Sequence, residues 1–114
     1  MSLPEVSLPK VGCQLIIFGG HVDVENEIER VLDGLKDAGY DAAECGGEAQ
    51  RVQKALDERG LVHAGQHIAL SGNPDAQQII DYAKTVGSSD VSNSGLLRWG
   101  DDITKEDYAQ AIEK

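Results

Sequence analysis

Four times in succession this sequence runs from a short β-rich segment into a stretch of helical periodicity, and that order limits the fold more than any other feature. Val11–Phe18 (VGCQLIIF) is apolar and β-rich, and Gly19-Gly20 stops it. From Val24 the period changes: Val24, Ile28, Val31, Leu32, Leu35 and Ala38 fall at helical spacing, with Asp23 placed to cap the start and Gly39 the end. Asp41–Cys45 is a second strand, closed by Gly46-Gly47. A second helical stripe of Ala49, Val52, Ala55 and Leu56 follows and ends at Gly60. His63–Leu70 (HAGQHIAL) is the third strand. Pro74 suits the first helical position, and Ala76, Ile79, Ile80, Ala83 and Val86 form the third stripe, stopped by Gly87. Asp90–Leu97 (DVSNSGLL) is the fourth strand, diluted by Ser and Asn. Thr104-Lys105-Glu106-Asp107 has the pattern of a capped helix start, with Tyr108, Ala111 and Ile112 beginning a fourth stripe.

Successive βα units imply parallel strands joined by right-handed crossovers. The expected fold is therefore α/β, a parallel (βα)4 unit, which can be an open sheet or half of a (β/α)8 barrel. Residues 1–114 read as one domain with an irregular lead-in over 1–10, and no low-complexity linker divides them.

Side chains alternate along a strand, so parity separates a helix-covered face from its opposite. In the first strand Val11, Cys13, Leu15 and Ile17 suit the helices, leaving Gly12, Gln14, Ile16 and Phe18 opposite. In the second, Ala43 and Cys45 suit the helices, leaving Ala42, Glu44 and Gly46. In the third, Ala64, Ile68 and Leu70 suit them, with Gln66 an uncomfortable fourth, and His63, Gly65, His67 and Ala69 face away. Gln14, Glu44 and His67 are thus expected on one face, away from the helices. A doubly wound sheet needs that second face apolar, whereas a barrel interior uses polar groups near its C-terminal mouth. Parity favours the barrel.

Composition narrows the function. Lys plus Arg number 10 against 20 for Asp plus Glu, a formal charge of −10, which repels phosphate backbones and argues against nucleic acid or an anionic membrane. Apolar residues at 40% permit a real core, and no apolar run approaches the roughly 20 residues of a membrane span. Met1–Lys10 lacks a basic stretch followed by an apolar block, so no secretory signal is expected and the chain reads as cytoplasmic. Cys13 and Cys45 are too few for a disulfide framework and read as two buried thiols.

The segments KVGCQLIIFGG, LDGLKDAGYDAAECGG, ALDERGLVHAGQHIAL and PDAQQIIDYAKTVGSSDVSNSGLLRW carry a resemblance over about residues 10–112. The chain resembles the N-terminal half of the sugar phosphate isomerase/epimerase family, the xylose-isomerase-like TIM barrels. That resemblance implies a divalent metal (Mn, Mg, Zn or Co) at the barrel mouth and aldose–ketose isomerisation or epimerisation by an enediol route. It also implies that the main metal ligands come from strands of the C-terminal half, so none is assigned here. The expected partners are a sugar or sugar phosphate and either the missing C-terminal half or a second copy of the chain. Carried over by position, Glu44 is the catalytic acid/base, His67 a substrate-binding histidine, and Phe18 and Trp99 the aromatic lining. Gln14 joins them through parity. Ser92–Gly95 departs from the more apolar fourth strand of that family.

Each of these residues has a plainer role to weigh. His67 can be satisfied by Glu44 inside a polar layer, Glu44 can pair with Arg51 or Lys54, and Trp99 can be core. His63 reads as surface or lower-barrel structure and His21 as a solvated loop residue. The acids Asp23, Glu25, Glu27 and Glu29 read as a solvated helix face with favourable charge at a helix start. Among other classes, a phospho-acceptor receiver needs acids where the chain has Gly19-Gly20-His21 and Leu70-Ser71. Neither GxGxxG nor GxxxxGK[ST] occurs, and an apurinic endonuclease would have to hold DNA against the net charge. A non-catalytic (βα)4 piece or flavodoxin-like domain that works by assembly is the remaining alternative. Its open edges predict that it is not a stable monomer.

Overall fold

A computed structural model describes residues 3, 4, 7–69, 72, 74–95, 97 and 102–113. Among them the chain is mixed α/β, with four helices and short parallel strands. The strands are β1 (Gly12–Gln14), β2 (Ala42–Glu44), β3 (Val62–His63), β4 (Gln66–Ile68) and β5 (Val91–Asn93). The helices are α1 (Ile28–Asp37), α2 (Ala49–Asp57), α3 (Ala76–Val86) and α4 (Lys105–Ile112). β1, β2 and β3 pair in that order, and β4 pairs with β5, every pairing parallel.

The apolar stripes explain the helices. Ile28, Leu32 and Leu35 of α1 and Val52, Ala55 and Leu56 of α2 are buried together with Cys13 of β1, Ala43 of β2, Leu15 and Cys45 just beyond those strands, and Val86 of α3. Ile28, Leu32 and Val52 are at most 2% exposed, and full burial of such side chains stabilises by roughly 1.5–3 kcal/mol each. Since α1, α2 and α3 all feed this one cluster, they cover one face of the strands.

The helix ends are fixed by local chemistry. α1 starts at Ile28 rather than Val24, because Asp23 holds a preceding turn: its side chain accepts from the Asn26 backbone and amide, and its carbonyl accepts from Glu27 N at 2.8 Å. Glu48 caps α2 by accepting from Gln50 N and Arg51 N. α3 begins at Ala76 with Asp75 as its N-cap, accepting from Gln78 N, so Pro74 precedes the helix instead of filling its first position. Thr104 and Asp107 form the reciprocal capping box expected for α4.

Two features differ from the sequence expectation. The first strand stops at Gln14, and Leu15–Phe18 coil into a 3-10 turn closed by Gly19 N donating to Ile16 O at 3.0 Å. β2 ends opposite, at Glu44, so beyond Gln14 there is no ladder, and the freed backbone groups bond locally instead. Ile17, expected under the helices, is consequently 63% exposed.

The second difference is a half-turn inside the third strand. In a regular parallel strand, residues two apart direct their N–H groups at the same neighbour. Val62 and Ala64 do so, donating to Asp41 O and Ala43 O on the β2 side, but Gln66 donates to Asp90 O on the β5 side. The phase shifts by one residue at Gly65, as at a bulge, and the facing of the side chains reverses with it. His63 therefore lies on the helix side, 6% exposed, and Ala64 on the helix-free side against Gly12 and Ala42. Both are the reverse of the parity assigned to them from the sequence.

Candidate functional site

The helix-free face carries two rows. The lower is small: a Cβ built on Gly12 would stand 3.3 Å from Ala42 Cβ and 3.4 Å from Ala64 Cβ. The upper is polar. Register sets Gln14 directly beside Glu44, and the Gln14 amide Nε2 donates to Glu44 Oε2 at 3.2 Å. His67, turned to this face by the shift at Gly65, places Nδ1 against Glu44 Oε1 in a hydrogen bond. One carboxylate thus links residues from three strands.

This row opens into a cavity of about 510 Å³ at the carboxyl ends of the strands, lined also by Ile16, Gly46, Gly47, Tyr82 and Ser94. Ser94 Oγ donates to Ile68 O at 2.9 Å and Tyr82 OH donates to Cys45 O at 3.3 Å, so both oxygens keep lone pairs for a ligand. Gln66 also lines the cavity, and its buried Oε1 has no hydrogen-bond partner. Burial first, and then the nearby Glu44 charge, push the Cys45 thiol up to about 11. Burial is likewise the main reason that the Tyr82 hydroxyl rises to about 12. Neither group is ionised near neutrality, and both serve here as neutral polar lining.

The remaining candidates lie elsewhere. Phe18 sits with Val22, Val31, Leu35 and Tyr40 in a separate groove of about 340 Å³ beside α1. It is not part of the Glu44 cavity, because the 3-10 turn swings it back toward the helix. Trp99 lies outside the described residues. His21 is exposed in its loop. His63 is buried beneath α3, where its ring meets Tyr82 edge-on and its Nε2 bonds to Cys45 O at 2.8 Å.

Glu44 pairs with neither Arg51 nor Lys54. Arg51 crosses to α1, where Nε and Nη2 hold both oxygens of Glu29 at 2.9 and 2.8 Å and Nη2 also reaches Asn26 O. Lys54 lies 3.8 Å from Glu58. Sequence reasoning missed Gln66, Tyr82 and Ser94. The first had a visible signal, since a glutamine under helices was already out of place.

Among the described residues no group of three His, Cys, Asp or Glu side chains is arranged to hold a metal ion. Glu44 and His67 are two potential donors engaged with each other, and a resident divalent ion takes more ligands than that. These residues do not by themselves fit the metal that the resemblance implies. No helix among the described residues is long and apolar enough to cross a membrane. No protein-family model and no curated protein sequence matches this chain.

Proposed function

We propose that this chain is one half of a (β/α)8 barrel of the sugar isomerase/epimerase type, whose helix-free face forms part of a site for a small polyhydroxylated carbonyl compound. The observation that carries the reading is the Gln14–Glu44–His67 row, which stands on the uncovered face and opens at the carboxyl ends of parallel strands. Barrel active sites sit at that end. Adjacent strands follow chain order, and α1, α2 and α3 share one core on one side, which supports a singly wound arrangement over a doubly wound one.

Interconverting an aldose and a ketose moves a proton between neighbouring carbons. The site then needs a group that can accept a proton and hydrogen bonds that orient hydroxyls. The imidazole and carboxylate of the Glu44–His67 pair supply the first, and the Gln14 amide and the Ser94 and Tyr82 oxygens the second. Among the described residues β1 pairs as a strand with β2 and β5 with β4, and completing the barrel adds four further strands between their outer sides, from a C-terminal half or a second copy.

The test is a titration of the isotope-labelled chain with ketoses, aldoses and their phosphates, followed by NMR. Shift changes clustered at Gln14, Glu44, Gly46, His67 and Ser94 are expected. No response at millimolar sugar, or a response confined to other residues, removes the carbohydrate reading.

A further inference from the structure

We propose that the proton-accepting atom of this site is Nε2 of His67, with Glu44 as a positioning residue that fixes the tautomer of the imidazole. The assignment rests on the carbohydrate reading for its substrate and deepens it by naming the atom that takes the proton.

A carboxylate can only accept, so the hydrogen shared by His67 Nδ1 and Glu44 Oε1 resides on Nδ1. In the neutral ring the lone pair is then on Nε2. Among the described residues, no hydrogen bond or ion pair occupies that atom. The side chain is 42% exposed and lines the cavity, so a ligand can reach it. Glu44 is the more occupied of the two: Gln14 donates to its second oxygen, so each carboxylate oxygen already accepts a hydrogen bond from a neighbouring strand, and its side chain is 21% exposed. An imidazole turned by a carboxylate through one nitrogen and open at the other is an arrangement suited to general base catalysis.

His63 provides an internal contrast. Its Nε2 bonds to the carbonyl of Cys45, which accepts only, so its hydrogen is on Nε2 and its lone pair on Nδ1. That Nδ1 is buried without a partner, and His63 is closed to ligands. The two histidines of the third strand segment therefore carry opposite tautomers.

Long-range 1H–15N spectra of the full chain at pH 8, above the ordinary imidazole range, read this directly. We expect His67 with its hydrogen on Nδ1, His63 with its hydrogen on Nε2, and exposed His21 as an unbiased mixture. Glu44→Gln should move His67 toward the His21 pattern. It should also slow ethoxycarbonylation of His67 by diethyl pyrocarbonate, measured against His21 in the same molecule, about threefold or more, because the ring loses its carboxylate partner. A wild-type His67 with its hydrogen on Nε2, or with a tautomer mixture equal to that of His21, overturns the assignment whether or not the variant folds. A folded Glu44→Gln chain with unchanged His67 signals and reactivity does so too. Loss of the sugar response with the tautomers as expected defeats the carbohydrate reading alone, and the reverse result defeats this assignment alone.

Discussion

His63 and His67 lie four residues apart on one extended segment and face opposite sides of the sheet, His63 against Tyr82 of α3 and His67 against Glu44. On an unbroken strand, two residues at that spacing share a face. The half-turn at Gly65 separates them, and the polar row exists because of it.

Gly65 should accordingly be sensitive to substitution. Its φ of +158° is a conformation that L side chains rarely adopt, so Gly65→Ala is expected to destabilise the chain by about 1–3 kcal/mol. It should also loosen the His67–Glu44 contact. Urea unfolding reads the first effect and the His67 ring signals the second. Unchanged stability with unchanged signals would contradict the role given to this residue.

Acid should release the tie between α1 and α2. The Arg51 guanidinium is the main reason that the Glu29 carboxyl falls from an ordinary 4.5 to about 2. A folded pKa below the unfolded one contributes stability that is full above about 4.5 and is lost as pH falls through about 2. Glu29→Gln should therefore lower the urea midpoint at pH 7 and converge on wild type as pH falls below about 2. A gap that persists unchanged across that range argues against the ion pair.

Cys45 should resist alkylation. With its thiol moved from 9.0 to about 11, its thiolate fraction at pH 8 is roughly a hundredfold below that of an unperturbed thiol. Iodoacetamide labelling, mapped by mass spectrometry, should be slow in the native chain and fast in urea. Rapid native labelling would show that the thiol is not shielded beneath the cavity floor.

Among the described residues β1 pairs as a strand with β2 and β5 with β4, and the half-barrel proposal predicts association at their outer sides. Sedimentation of the full chain should show a species larger than the 12.2 kDa monomer. A lone monomer that unfolds cooperatively would mean that the strand row is complete in itself, against the half-barrel proposal.

The sequence by itself determined the alternation of strand and helix, though not that Leu15–Phe18 leave the first strand, because apolar spacing is a local property and each stripe needs only one covering surface. It also determined that Gln14 and Glu44 share a face, since β1 and β2 keep an unbroken ladder through those residues and parity holds along such a ladder. Parity could not be carried across Gly65. The backbone there bonds to β2 before the glycine and to the β5 side after it, so the facing of each half depends on partners distant in sequence. The tertiary structure alone decided that His63 enters the helix layer, that Phe18 turns back to α1 once its strand loses a neighbour, and that His67 meets the carboxylate. Buried backbone groups must find partners where the rest of the chain supplies them.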